Sequence, residues 1–431
     1  MTLDHVETLE CTLCGATYDP EQVVYTCPNH EGVAGILEVV YDYDVVDDRF
    51  DADLDGDIPS QWKYRAFLPV DTDAEPVTLD EGGTDLLDAP RLGDELGVDL
   101  RVKNDGLNPT GCFKDRATSI AATKARFAGQ DVVTCASTGN AAASLAGYAA
   151  RAGLDCRIFV PAAAPEGKLV QPRVYGADVL AVDGSYDEAY DLSLEVTDAY
   201  GWYNRNAAIN PFQIEGKRTV GHELAEQTRE SSPDWVVFSM GDGCTIAGCW
   251  KGLREFAELG YVDDTPKMLG VQPEGASAIH DAFHGAEDYE TVADTLADAV
   301  AVGRPRNTVK ACRALEESGG TALTVTDEAI LDAETLLGRT EGIYAEPSGA
   351  APVAGIQKAR EQGIIEPGES VVAVVTGFGL KDTAGAKQAV GDVTEVAPSL
   401  DDVAALYGAG DADGAGGEGD AEGSSVTGRG A

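Results

Sequence analysis

Cationic side chains are scarce in this chain: 31 lysines and arginines stand against 75 aspartates and glutamates, for a formal charge of −44 over 431 residues. A surface so negative repels a phosphodiester backbone, which excludes nucleic acid as a partner. No apolar run approaches the about 18 residues that a bilayer crossing needs, so a membrane span is excluded too. The opening stretch MTLDHVETLECTLC lacks both a basic and an apolar leader region. A cytoplasmic protein is therefore expected rather than a secreted one. Internal repeats are absent as well.

Hydrophobic residues make up 43% of the chain, enough for the two or more domains that its length predicts. Nine cysteines in a cytoplasmic chain read as metal ligands or core thiols, because disulfides are rare in that compartment. Their spacing decides which. Cys11-x2-Cys14 followed by Cys27-x2-His30 forms two tight knuckles of soft and borderline donors, the pattern of a tetrahedral zinc ribbon over residues 1–42. Four protein ligands leave no position for a substrate, so a structural Zn2+ is expected. Residues 43–61 are acidic and read as a solvated linker. Asp51, Asp53, Asp55 and Gly56 imitate the start of a calcium loop, but Trp62 stands where its closing glutamate belongs. The Gly/Ala/Asp/Glu-rich tail, residues 396–431, is expected to be disordered.

Between them, residues 62–395 alternate short β-branched runs with stretches of helix length. Val132–Cys135, Cys156–Val160, Val179–Val182, Trp235–Ser239, Met268–Val271 and Ser370–Val375 are predicted strands. Ala141–Ala152, Asp187–Tyr200 and Ile246–Leu259 are predicted helices. The alternation predicts an α/β protein of two doubly wound parallel-sheet domains, the smaller at roughly 131–225, behind the zinc ribbon. Ligands of such sheets gather at the carboxyl ends of the strands.

Four segments carry chemistry. Asn108-Pro-Thr-Gly-Cys-Phe-Lys-Asp-Arg116 puts Lys114 between a turn and a helix start, where a helix dipole and partial desolvation favour the free amine. Ala136-Ser137-Thr138-Gly139-Asn140 follows a strand and opens a helix; it can face a ring or a carboxylate, or simply cap the helix. Ser239-Met-Gly241-Asp242-Gly243-Cys244-Thr245 sits in the same strand-to-helix position, with glycines that let successive amides converge on an anion. Thr376-Gly-Phe-Gly-Leu-Lys-Asp382 ends the strongest strand of the C-terminal half, offering a hydroxyl to a heteroaromatic nitrogen.

These four segments, in this order, resemble the threonine synthase family of fold-type II pyridoxal 5'-phosphate enzymes, and the similarity extends over roughly residues 67–390. The resemblance implies that Lys114 carries the cofactor as a Schiff base and serves as acid and base. It also implies Asn140 at the cofactor's 3'-hydroxyl, Gly241, Asp242, Gly243, Cys244 and Thr245 around its phosphate, and Thr376 at its pyridine nitrogen. Ser137, Thr138 and Lys217 are candidate contacts to a small amino-acid substrate. The implied reaction converts O-phosphohomoserine and water to threonine and phosphate. A serine/threonine dehydratase and a cysteate synthase are the neighbouring alternatives, and a non-catalytic sensor would have lost the lysine or the glycine loop.

Several positions depart from the family pattern: Cys112 for serine, Ala141 for threonine, Asp242 for asparagine, Phe378 for histidine, and Gln213 for an arginine associated with the substrate phosphate. Lys217, Arg218, Arg205 and Lys168 are the cations that could replace that arginine. The sequence carries no sign of oligomeric state, and a homodimer stands as one assembly. The spread of carboxylates along the chain fits a surface built for high salt. Thermal unfolding in rising KCl is expected to show a steep gain in stability, and a flat response would remove that reading.

Overall fold

The computed structural model describes residues 3–22, 25–50, 52–54, 56–71 and 73–407. The chain divides into a body, Met1–Val390, and a segment from Gly391 onward. In the latter, where disorder is expected, Leu400–Tyr407 forms a helix with no buried residue. The remainder of the expected tail, 408–431, lies outside the described residues, as do Asp51 and Asp55 of the rejected calcium loop. Among the described residues no helix is long and apolar enough to cross a membrane.

The body opens with an antiparallel sheet of β1 (Val6–Cys11), β2 (Thr17–Tyr18) and β3 (Leu37–Tyr41), in the order β2-β1-β3. Next come β4 (Leu86–Asp88) and β5 (Asp99–Asn104), which begin a large sheet. A small sheet interrupts it, formed by β6 (Val132–Ala136), β7 (Asp155–Pro161), β8 (Asp178–Val182) and β9 (Tyr203–Asn204) in the order β8-β7-β6-β9, all parallel. The large sheet is completed by β10 (Trp235–Ser239), β11 (Lys267–Pro273), β12 (Thr321–Val325) and β13 (Ser370–Val375), giving the order β12-β11-β10-β13-β5-β4.

Each predicted strand and helix is present within two residues at either end. The large sheet is mixed rather than wholly parallel, because the three-residue edge strand β4 pairs antiparallel to β5. Its interior strands β10 and β13 are buried on both faces, as helix-covered parallel strands are.

The acidic stretch expected to be a solvated linker differs from that expectation. Asp42 caps the helix Tyr43–Arg49 by accepting from the amides of Asp44 and Val45. That helix buries Val46, and Phe50 behind it packs among Tyr64, Phe67, Phe256 and Tyr261. Acidic residues face water while two apolar residues reach the core, a pattern that overall composition hides. The ribbon is likewise fixed to the body. Leu9, Val39 and Tyr41 share one apolar cluster with Phe67, Phe212 and Phe256. Lys310 and Lys251 donate to the Leu37 and Val39 carbonyls, each at 2.8 Å.

A fully buried ion network ties the helix Lys114–Phe127 to β5 and to the helix Thr219–Gln227. Arg116 donates to Asp105 at 2.6 Å and to Glu223 at 2.5 Å, and Lys103 of β5 reaches Glu223 at 2.6 Å. Against burial, which acts to raise it, Arg116 and Lys103 hold the Glu223 carboxyl well below its usual range. Removing one partner of such a group strands the others in a low-dielectric interior. Glu223→Gln is therefore expected to lower unfolding free energy by about 3–5 kcal/mol in a urea titration.

Candidate active site

The site is assembled by stitching two distant segments together. Gly111, at φ +84°, turns the chain so that its carbonyl accepts from Phe378 at 3.0 Å, while the Phe113 amide donates to the Thr376 carbonyl at 2.9 Å. The turn before Lys114 is thereby clamped to the end of β13. Asp115 locks it from within, accepting from the Thr110 amide at 2.7 Å and the Thr110 hydroxyl at 2.6 Å. Burial pushes that carboxyl up to about 6. Lys114 itself is the first residue of its helix and only half-buried.

Lys114, Thr376, Lys217 and the loop Gly241–Thr245 line one inner chamber of about 80 Å3. An outer cleft of about 440 Å3 is lined by Thr110, Asn140, Lys168, Phe378 and Lys381 among others. Glu346 and Ser348 face both spaces and mark the passage between them.

The glycine loop has the geometry of an anion cradle. Gly243 sits at φ +83°, and a Cβ there would come within 2.7 Å of the Ala311 methyl, so no larger residue fits. The helix Cys244–Glu258 starts immediately afterwards. The Met240 amide is the last to join the sheet and Ala247 the first to bond within the helix, so among the described residues the amides of residues 241–246 have no protein acceptor. Asp242, an anion inside an anion cradle, is turned aside: its carboxylate accepts from the Arg306 amide at 3.1 Å and lies 3.8 Å from the Arg306 guanidinium.

Asn140 donates through Nδ2 to Glu346 Oε1 at 2.7 Å, which fixes the direction of its side-chain amide. Glu346 escaped sequence reasoning. Its carboxyl is raised by burial, against the lowering effect of Lys381, and it directly precedes the helix Pro347–Glu361. Its local pattern, Glu-Pro-Ser-Gly, is a third helix start rich in small residues and could have flagged it. Ser137 and Thr138 line neither chamber; the Ser137 hydroxyl accepts from the Gly139 amide at 3.2 Å, a local turn cap. His222, whose role the sequence leaves unread, is a buried partner of Glu255 at 2.8 Å.

In the N-terminal ribbon, ligand atoms of Cys11, Cys14, Cys27 and His30 all lie within 4.8 Å of one another. The Cys14 and Cys27 sulfurs are 3.7 Å apart, close to the spacing set by two tetrahedral Zn–S bonds of about 2.3 Å. Tyr18 meets the Cys27 sulfur at 2.9 Å and Asn29 donates to that of Cys14 at 3.7 Å.

Two α/β sheets, an amine at a helix start, a strand-end hydroxyl and a nest of amides define the class: an enzyme site suited to a flat ring that carries an aldehyde and a phosphate. The family model described as pyridoxal-phosphate dependent enzyme matches residues 77–377. Threonine synthase of Methanocaldococcus jannaschii is 42% identical over 86% of this chain and 92% of its own length. That of Methanosarcina acetivorans is 42% identical over 90% and 94% respectively. Among solved structures, the processed form of threonine deaminase isoform 2 from Solanum lycopersicum matches with a TM-score of 0.60 and 26% identity, covering 68% of this chain and 79% of that one. Diaminopropionate ammonia lyase from Escherichia coli, at 18% identity and a TM-score of 0.62 over 73% of this chain and 88% of its own, shares the fold. The chain belongs to the pyridoxal-phosphate-dependent enzyme family and, within it, to the threonine synthases.

Proposed function

We propose that this chain converts O-phospho-L-homoserine and water to L-threonine and phosphate, with Lys114 as the residue that holds the cofactor and moves the protons. Two facts support the reading: 42% identity to threonine synthases over most of the chain, and a chamber that places the Lys114 amine, the Thr376 hydroxyl and the free amides of the 241–245 loop around one space. When bound, pyridoxal phosphate supplies an electron sink that lets a Cα–H bond ionise. The chain does the rest.

Amides of Gly241, Asp242, Gly243, Cys244 and Thr245 bind the cofactor phosphate, assisted by the start of the helix Cys244–Glu258. The Thr376 hydroxyl meets the pyridine nitrogen without holding a proton there, which leaves proton control to the protein. Asn140, oriented by Glu346, addresses the ring hydroxyl. The Lys114 amine would take the Cα proton and then a Cβ proton as phosphate departs from Cγ, and would return protons to Cγ and Cα as water adds at Cβ.

Zinc belongs to the same proposal. Cys11, Cys14, Cys27 and His30 hold one ion that fixes the ribbon fold, a structural role consistent with four protein donors that leave no position for a substrate. The neutral Gln213 gives some support to a dehydratase acting on hydroxy amino acids instead.

Lys114→Ala is expected to abolish both turnover and the visible absorbance of the bound cofactor, and a variant that keeps the yellow band would refute the lysine assignment. Phosphate release from O-phosphohomoserine without keto-acid formation from threonine is the expected assay result for the purified wild type; the opposite pattern selects the dehydratase. Atomic emission should find stoichiometric zinc in the wild type and its loss in Cys14→Ser, together with a lower melting temperature.

A further inference from the structure

Four cations could serve the substrate's phosphate on sequence grounds, and their surroundings sort them. Arg218 is spent: its guanidinium lies 2.5 Å from Glu255, 3.3 Å from Glu215, and 4.1 Å from the centre of the Tyr41 ring. Lys168 bridges Asp298 at 2.8 Å and Asp382 at 3.1 Å beside the outer cleft. Lys217 and Arg205 differ in kind. Among the described residues, neither forms a salt bridge with a carboxylate.

Lys217 is 1% exposed and lines the inner chamber with Lys114 and the glycine loop. Arg205 is 0% exposed; its Nε donates to the Thr118 hydroxyl at 3.2 Å, while among the described residues Nη1 and Nη2 have no partner. The groups near enough to influence these two charges are one another, Lys114, Asp115, Asp242 and the thiols of Cys112, Cys135 and Cys244. Burial drives the Lys217 ammonium down to about 8. One helical turn before Lys217, Gln213 is also buried with both side-chain polar atoms unpartnered.

Two desolvated cations without counter-charges are costly unless an anion joins them. The cofactor phosphate already has up to six free amides at residues 241–246. We propose that Lys217, backed by Arg205 and with Gln213 beside it, forms a second anion subsite that takes the substrate's phosphate group and retains it as the departing product. This deepens the threonine synthase reading and rests on it. In that arrangement a carboxamide stands at position 213, and the positive charge enters one turn later on the same helix and from the end of β9. An ammonium holding the departing oxygens would offset the charge that develops as the Cγ–O bond breaks.

The test uses cofactor-loaded enzyme with inorganic phosphate as probe, against a chloride control at equal ionic strength. In the wild type, phosphate should bind saturably by calorimetry and compete with O-phosphohomoserine. Lys217→Met should weaken phosphate binding and raise the KM for O-phosphohomoserine by roughly 10- to 100-fold, the loss expected for one charge-assisted contact. Cofactor affinity, read from the visible band, should change less than about 3-fold, and Lys217→Arg should recover phosphate binding in part. Lys217→Gln carries the same expectation should the methionine variant not fold. The proposal is overturned if wild-type holoenzyme binds no phosphate, if phosphate binding survives the loss of the ammonium, or if cofactor affinity falls in parallel, which would give Lys217 to the cofactor. A wild type that binds phosphate yet does not turn over O-phosphohomoserine sinks the reaction assignment and leaves the anion subsite standing.

Discussion

The clamp between the turn at Gly111–Phe113 and the end of β13 at Thr376–Phe378 is the interaction on which the site depends. Two backbone hydrogen bonds, Phe113 to Thr376 and Phe378 to Gly111, join segments more than 250 residues apart. They put an amine and a hydroxyl on the same chamber wall before any side chain contributes. Backbone bonds suit this task because they survive changes of side chain: Cys112 and Phe378 are both departures from the family pattern, and neither disturbs the pairing. Behind the clamp, the Arg116 network holds the lysine-bearing helix against β5 and the helix Thr219–Gln227. The reactive end is half-exposed while its root is fixed in the core.

Charge is distributed unevenly, and the unevenness has chemical meaning. The chain as a whole carries −44, yet the chamber is bordered by cations and by amides with no protein acceptor. Poorly hydrated donors that face the chamber are strong partners for an anion. Arg116, Lys103 and Arg218 each meet carboxylates, whereas among the described residues Lys217 and Arg205 form no salt bridge. The inward acids are sorted the same way. Asp242 is turned to Arg306, and Glu346 is kept in hand by Asn140 and Lys381.

The N-terminal elements are part of the body rather than an appendage. The ribbon sheet has its outer strand capped by Lys251 and Lys310, and Phe50, next to the ribbon, completes an aromatic cluster with Phe67, Phe256 and Tyr261. Metal-dependent order in the ribbon would therefore be felt on the helices Cys244–Glu258 and Thr308–Glu317, the first of which begins at the anion cradle.

Much of this was legible in the residues. Periodicity located six strands and three helices because parallel strands buried on both faces must be continuous apolar runs, and the cysteine spacing picked out four residues whose donor atoms the fold brings together because two tight knuckles are local in sequence. The lysine, the glycine loop and the strand-end threonine were readable for the same reason: each is a turn with its own covalent logic. Glu346, the burial of the acidic stretch after Asp42, the antiparallel β4 and the fate of Lys168, Arg205, Lys217 and Arg218 were not. Whether a charge is neutralised depends on which carboxylate the fold delivers to it, often from more than a hundred residues away. Sequence alone determined which chemical groups are available and what each turn can offer; only the tertiary structure decided which of them are paired and silent and which are left to meet a ligand, because pairing is a property of distance in space and not of position along the chain.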